Sequence, residues 1–395
     1  MSKILLGISG GIAAYKSPEI LRAFIIAGHE VEVILTEAAE QLVSPLALAT
    51  LAGKKIWRQS DFLSTEYGWK IPHISLSKWA DVLVIAPCTA ETMSGIARGR
   101  AESLLTATAL ALPEHIPVVV CPAMNSAMLS NAATVENMKI LSQRGVFITE
   151  PDSGMLACGT EGKGRLPPPE AILEETERAI YEKSNMTNAM RGKKVLITAG
   201  ATQEYIDPVR FISNKSSGKM GAALAKTAWR RGAQVKFILG AHSIPPVYGV
   251  ETIDVISAND MLKAVLENLE WADIIVASAA VSDYRAEAPS VLKIKREEKS
   301  VLSISFIENP DIAFEIGKLK HDGQILVGFA LETNDMIKNA ISKMERKNMD
   351  VIIVNGLAAL GSDANDVAII RRSGSESSFA GSKEDIANGL WDELP

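Results

Sequence analysis

The chain has 395 residues, too many for one ordinary domain and enough for two or three, and 47% are hydrophobic, so each half can bury a full core. A net charge of −6 and a pI near 5.6 leave no overall basic footprint for nucleic acid, although a local basic pocket for phosphate stays open. Met1-Ser2-Lys3 leads straight into a strand pattern without a signal-peptide core, no apolar run reaches the roughly 18 residues of a membrane helix, and three cysteines without a CxxC pair argue against a disulfide framework. The expectation is a cytoplasmic protein with neither a nucleic-acid nor a membrane partner.

In the first half, short apolar runs at Ile4–Ile8, Val31–Leu35, Val82–Ala86, Val118–Cys121 and Val146–Thr149 alternate with helical patterns. Runs that are apolar throughout predict a parallel sheet covered on both faces, with ligands at the carboxyl ends of its strands. The loops that follow those ends read Ser9-Gly10-Gly11, before a helix from about Ile12; Thr36; Ala86-Pro87-Cys88-Thr89-Ala90; and Pro122-Ala123-Met124-Asn125-Ser126-Ala127-Met128. A lone SGG is equally a tight turn; several polar loops at strand ends carry more. His73 lies outside the strand pattern, where a single histidine is ordinarily structural. Cys88 and Cys121 sit at strand ends and read as small buried hydrophobes. Cys158 lies in the glycine-rich run from Ser153 to Leu166, which reads as a flexible lid; a thiol there could deliver a proton to a substrate or be a bystander.

Pro167-Pro168-Pro169 ends that run, and Glu170 to Lys183 reads as an amphipathic helix with Ile172, Leu173, Ala179 and Ile180 on one side. Ser184 to Gly192 is polar and aperiodic. A domain boundary is expected there, giving domains 1–190 and 191–395.

The second half opens with the apolar run Val195 to Thr198, a break at Gly200, and a polar loop carrying Asp207, Arg210, Asn214 and Lys215. Ser216-Ser217-Gly218-Lys219 then leads into an Ala-rich helix. A strand, a Gly/Ser loop and a helix N-terminus make an anion site, because unpaired N–H groups and the helix dipole favour phosphate. Further strands are expected at Val235–Leu239, Ile274–Ala277, Ile325–Phe329 and Val351–Val354, with runs at Leu302–Ile307 and Val367–Ile370 forming a small antiparallel extension. The small residues of Ala277-Ser278-Ala279-Ala280 let a ligand approach the backbone, and Asp283 could hold Mg2+ or a ribose. The cluster Lys293-Ile294-Lys295-Arg296, and Lys343 with Lys347 one helical turn apart, read most simply as solvated faces. The fold class is thus α/β, with two tandem three-layer domains on mainly parallel sheets.

The motifs resemble two enzyme families. GGIAAYK (Gly10 to Lys16), the PxMNxxM run, His73 and the GxLACGxxGxGR loop are similar to the flavin-dependent cysteine decarboxylases, of the phosphopantothenoylcysteine decarboxylase type. The resemblance implies a flavoprotein domain that binds FMN across subunits near Ser9, Gly10, Gly11, Thr36 and Thr89. It also implies oxidation of the substrate's cysteinyl thiol to a thioaldehyde and loss of the neighbouring carboxylate. His73 would act beside the flavin, Met124 and Asn125 would hold the substrate, and Cys158 would protonate the enethiolate. The family's third-strand loop usually reads P-A-T-A-N-T; here it is Pro87-Cys88-Thr89-Ala90-Glu91-Thr92, so the flavin contact of that Asn is in question.

From Asp207-Pro208-Val209-Arg210 to Gly328-Phe329-Ala330 the second half resembles the CTP-using phosphopantothenate–cysteine ligases, a Rossmann-like family. The resemblance implies that CTP activates the carboxylate of 4′-phosphopantothenate as an acyl-cytidylate, from which the amine of L-cysteine displaces CMP. Asn214 would stabilise that intermediate, and Arg210 and Ala280 would contact the substrate. Lys293 would act on the transition-state charge or the second half-reaction. Ala277, Ser278, Ala279, Asp283, Lys293, Pro310, Asp311, Ile312, Ala313, Phe329, Lys343 and Lys347 would hold CTP, with Mg2+ on Asp283 and the phosphates. It further implies flavin-domain trimers joined by ligase-domain dimers into a dodecamer. Base choice between CTP and ATP stays open. A flavin prenyltransferase-like first half would need no cysteine on a glycine-rich lid, and a regulatory flavoprotein would not need His73, Asn125 and Cys158 together.

Overall fold

The computed structural model describes residues 1–184, 190–295, 302–331, 336–355 and 364–394; Arg296 of the basic cluster and residues 185–189 of the expected join fall outside them. Two compact units are present, Met1–Met186 and Thr187–Pro395.

In the first unit β1 (Lys3–Ile8), β2 (Glu30–Leu35), β3 (Ile56–Arg58), β4 (Val82–Cys88), β5 (Val118–Pro122) and β6 (Phe147–Ile148) form one parallel sheet in the order β3-β2-β1-β4-β5-β6. Both faces are buried. Ile4, Leu6 and Ile8 pack with Leu21 and Phe24 on one side, while Leu5 packs with Leu83 and Leu104 on the other, which is why the strands read as unbroken apolar runs. The three-residue β3 is too short to announce itself. The helix expected from Ile12 begins as a 3-10 turn, Ile12–Lys16, and becomes α-helical only over Ser17–Ile26. Pro18, which lacks an N–H, fits only the first turn of an α-helix and so fixes its start.

The expected flexible lid is instead an antiparallel hairpin of β7 (Asp152–Met155) and β8 (Glu161–Arg165). Its base is fastened to the loop after β5: Met124 N–H donates to Gly164 O at 3.0 Å and Ser126 Oγ to Lys163 O at 2.7 Å. Gly164 has φ 146°, and a Cβ there would lie 2.1 Å from Met124 O. This glycine therefore permits close backbone approach rather than looseness. The helix Pro169–Lys183 follows, with Ile172 and Ala179 buried and Leu173 and Ile180 packed against the same core.

The second unit contains β9 (Lys194–Ala199), β10 (Gln203–Tyr205), β11 (Phe211–Ser213), β12 (Gln234–Leu239), β13 (Glu251–Asp254), β14 (Ile274–Ala277), β15 (Tyr284–Ala286), β16 (Phe306–Glu308), β17 (Ile325–Leu331), β18 (Val351–Asn355), β19 (Ala364–Arg371) and β20 (Glu376–Ser382). The main sheet runs β13-β12-β9-β14-β17-β18-β19-β20, with only β19 and β20 antiparallel. Val195 and Ile197 enter one core and Leu196 the other. The expected antiparallel extension proves to be two features. Val367–Ile370 lies in β19 of the main sheet, whereas Phe306–Glu308 pairs with β15 in a separate ribbon. All three residues of β16 are exposed, so that run has no second face to bury in a sheet.

The parallel part of each sheet places its strands in the spatial order third, second, first, fourth, fifth, sixth. Chain direction across the sheet reverses between β1 and β4, and again between β9 and β14. Doubly wound folds bind ligands in the crevice at that switch.

Two candidate active sites at the switch points

In the first unit a cavity of about 1160 Å3 opens at the carboxyl ends of β1 and β4. Gly10, Gly11, Thr36, Thr89, Met124, Asn125 and Cys158 all line it. Ser9 is fully buried and does not. Its Oγ donates to Pro87 O at 2.7 Å and accepts from Thr89 N–H at 2.9 Å, so it stitches the two switch-point strands together. Thr89 in turn caps the helix Ala90–Arg98 through Thr92 N–H at 3.3 Å. Glu91, on the first turn of that helix, pairs with Arg100, and both line the cavity.

Cys158 sits in the turn of the hairpin, closed by Leu156 N–H to Thr160 O at 2.8 Å. Asn125 Nδ2 donates to its Sγ at 3.2 Å, and Thr160 Oγ1 lies 3.1 Å from the same sulfur. The Thr160 hydroxyl, the Thr160 N–H and the Asn125 amide together hold this exposed thiol below its ordinary value. Cys88 and Cys121 are buried as expected; burial raises Cys88 strongly and pushes Cys121 up to about 12. His73 does not line the cavity. It lies in the first turn of the helix Pro72–Trp79, edge-on to Phe62 at 5.4 Å, with its buried Nδ1 lacking a hydrogen-bond partner among the described residues.

In the second unit a cavity of about 530 Å3 lies at the ends of β9, β14 and β17. Ala277, Ala279, Asp283, Pro310, Asp311, Ile312, Ala313, Phe329, Lys343 and Lys347 line it. Lys347 is not a solvated surface lysine: its side chain is 12% exposed and pairs with Asp311 at 2.7 Å. Lys343 Nζ donates to Phe329 O at 2.9 Å. Asp311 also caps the helix Ile312–Leu319. Ser278 and Ala280 do not line the cavity. Ser278 Oγ donates to Thr198 O at 2.6 Å and Ala280 N–H to Gly200 O at 2.8 Å, tying β14 to β9. Asn214 donates to Val281 O at 2.9 Å beside the cavity, while Arg210 and Lys293 lie outside its lining. Among the described residues no three His, Cys, Asp or Glu side chains converge as a metal site, and no helix is long and apolar enough to cross a membrane.

Residues 1–181 match the family described as Flavoprotein, and residues 190–395 match the DNA/pantothenate metabolism flavoprotein C-terminal domain. The chain is 39% identical to the coenzyme A biosynthesis bifunctional protein CoaBC of Escherichia coli over 99% of this chain and 96% of that one. To the protein of the same name from Vibrio cholerae it is 40% identical, over 93% of this chain and 90% of the relative. The chain belongs to the bifunctional coenzyme A biosynthesis proteins. Like them it is an enzyme that joins a flavoprotein decarboxylase half to a ligase half. A solved C-terminal domain of a CoaBC protein is 36% identical, covering 52% of this chain and 96% of that one, with a TM-score of 0.46.

The hairpin places Thr160, which the sequence reading did not single out, against the Cys158 sulfur; a hydroxyl two positions after a cysteine in a turn was the available signal. Asn309, next to the expected Pro310 and Asp311, also belongs to the second cavity: it lines the wall, and its Nδ2 donates to Ser282 O at 2.8 Å.

Proposed function

We propose that residues 1–190 form an FMN-dependent phosphopantothenoylcysteine decarboxylase domain and residues 191–395 a CTP-dependent phosphopantothenate–cysteine ligase domain. The ligase joins L-cysteine to 4′-phosphopantothenate, and the decarboxylase converts the product to 4′-phosphopantetheine. The observation that carries this reading is the Cys158 sulfur, 3.2 Å from the Asn125 amide on the wall of a cavity large enough for a flavin and a substrate together.

The residues fit a flavin. Gly11 faces the cavity between Thr89 and Ala123, and a Cβ there would crowd Thr89 Cγ2 at 3.3 Å, so the glycine leaves room for a flat or phosphate-bearing group. Gly10, Gly11, Thr36 and Thr89 would hold it, with Ser9 fixing the loops that do so. Bound FMN supplies the two-electron oxidation of the cysteinyl thiol and its later return. Asn125 holds the substrate carboxylate, Met124 packs on the substrate, and the Cys158 thiol gives its proton to the enethiolate carbon. His73, which does not line the cavity of its own chain, would act at the flavin of a neighbouring copy. The exposed Leu63, Trp69 and Ile71 near it in sequence suit a subunit contact, which in this reading joins the flavin domains of a trimer. Ligase-domain dimers would then build a dodecamer in the cytoplasm.

In the second unit Ala277, Ser278 and Ala279 bring backbone close to CTP, and Lys343, Lys347, Phe329 and Pro310 to Ala313 surround it. Asp283 would hold Mg2+ together with phosphate oxygens, since among the described residues no cluster of three His, Cys, Asp or Glu supplies a full set of ligands. Lys293, Arg210 and Asn214 serve the acyl-cytidylate, and Ala280 the substrate. The decisive experiment is mass spectrometry of the purified protein with phosphopantothenate, cysteine, Mg2+ and either CTP or ATP. Phosphopantetheine and CMP, formed only with CTP, are expected; phosphopantothenoylcysteine alone would remove the decarboxylase, and no product the whole reading.

A further inference from the structure

Asp207 is a carboxylate of the second unit with both oxygens fully engaged. Its side chain is fully buried although it lies in a surface loop. Oδ1 accepts from the N–H groups of Val209 and Arg210, both at 2.8 Å. Oδ2 accepts from Arg210 Nε at 3.0 Å, Arg210 Nη2 at 2.5 Å and Ile294 N–H at 3.1 Å. Arg210 Nη2 then donates to Ile294 O at 2.6 Å, and Ser290 N–H to Ile206 O at 2.8 Å. Both backbone polar groups of Ile294 are therefore held by one Asp–Arg pair, across 84 positions of sequence. Burial pushes the carboxyl up, but the Arg210 guanidinium and the N–H groups of Val209, Ile294 and Arg210 outweigh it and keep it well below the usual carboxylate range.

A buried charge is costly unless it is paired and hydrogen-bonded, and an anion with five donors serves only a fixed geometry. What this pair fixes is chemically loaded. Ile294 follows Lys293 directly, and Arg210 is the guanidinium of the facing loop. We propose that Asp207 is a positioning residue of the ligase: it clamps the 206–210 loop to the 290–294 segment, so that Lys293 and Arg210 meet the substrate as one rigid body. This rests on the ligase reading above. Asp207 itself, fully buried and with both oxygens engaged by protein donors, has no face to offer a nucleotide or substrate. Arg210 is correspondingly committed: its Nε and Nη2 serve the clamp, which leaves Nη1 as the part of the fork that can face a ligand.

The test uses the full chain and the variants Asp207→Asn, Asp207→Ala, Lys293→Ala and the double variant Asp207→Asn/Lys293→Ala. Asparagine keeps the shape but turns one acceptor into a donor facing Arg210 and Ile294 N–H. Expected is a fall in ligase kcat of about tenfold or more, as for a misplaced catalytic group, with KM for CTP unchanged. In the Lys293→Ala background the same substitution should cost far less, because the lysine it positions is gone. Trypsin should cut after Lys293 and Lys295 faster in Asp207→Asn than in the wild type. Unchanged kcat, even with faster cleavage, would overturn the proposal by leaving Asp207 a purely structural staple. So would full additivity in the double variant. Should the wild type fail to ligate cysteine with either CTP or ATP, the ligase reading falls; the cleavage rates, which need no substrate, still decide whether the clamp exists.

Discussion

The two units answer one architectural instruction with different chemistry. Both place six parallel strands in the same order, both open a cavity at the switch between the first and fourth strand, and both stitch those strands with a serine hydroxyl, Ser9 in one and Ser278 in the other. The first cavity has roughly twice the volume and is lined in part by a hairpin that carries a thiol. The second is smaller and has two lysines reaching it, Lys343 on the helix Met336–Arg346 and Lys347 just past the end of that helix. A wide site with an acid on a projecting arm suits redox chemistry on a bound cofactor; a narrow site with cations suits a polyphosphate. The difference lies wholly in the loops and flanking helices, which is where function separates from fold.

The sharpest way to break the comparison is to disable one half and watch the other. Cys158→Ser should lower phosphopantetheine formation by about 100-fold or more, the range for removing a general acid, with an oxidised, decarboxylated intermediate accumulating while cysteine ligation stays intact. Normal phosphopantetheine yield from that variant would end the assignment of Cys158. The converse is Lys347→Ala. Losing one charge-assisted contact of about 1.4 kcal/mol raises KM for CTP about tenfold, and decarboxylation of supplied phosphopantothenoylcysteine should not change. An unaltered KM would mean that the Lys347–Asp311 pair only braces the helix that Asp311 caps.

Which of these differences could be read beforehand follows from burial. The central strands were legible because both faces of each sheet are covered, so Ile4 to Ile8 or Val195 to Thr198 carry apolar side chains without interruption. Edge strands β13 and β20 were not, since Glu251–Asp254 and Glu376–Ser382 alternate or expose most of their residues and leave no apolar run. The hairpin was misread because glycine signals two opposite things, freedom in an open loop and close approach in a packed one; only the partner at Met124 distinguishes them. At the sites, motif residues at strand ends could be named, but whether a hydroxyl faces the cavity or the neighbouring strand could not. Ser9 and Ser278 turned inward, and Asp207 acquired its role from Ile294, far along the chain.

A finer comparison concerns the thiols. Cys158 is exposed and lowered by Thr160 and Asn125, whereas Cys88 and Cys121 are buried and raised, so an alkylating reagent near neutral pH should label Cys158 alone. Thr160→Val removes the hydroxyl but keeps the N–H. The Cys158 pKa should then rise part of the way towards an ordinary thiol, moving the midpoint of the alkylation-rate profile to higher pH and slowing labelling at neutrality. Thr160→Ser should restore it. A profile unchanged by valine would remove Thr160 from the site without touching the case for Cys158.

The smallest expected effect separates the two serine stitches themselves. Ser9→Ala takes away the acceptor of Thr89 N–H in a fully buried position and a donor to Pro87 O, which still accepts from Ser9 N–H at 3.2 Å, so one buried donor, Thr89 N–H, loses its partner. The cost is about 1–3 kcal/mol of local stability. Ser278→Ala removes a single donor, and Thr198 O still accepts from Ser278 N–H at 3.2 Å, so about 0.5–1.5 kcal/mol is expected. Because a chain with two units need not unfold in one step, amide hydrogen exchange resolved by peptide is the suitable measurement. Exchange should rise around β1 and β4 in the first variant, and less around β9 and β14 in the second. Equal effects would mean that Thr89 N–H finds another acceptor once Ser9 is gone, and that the two switch points are braced alike despite their different chemistry.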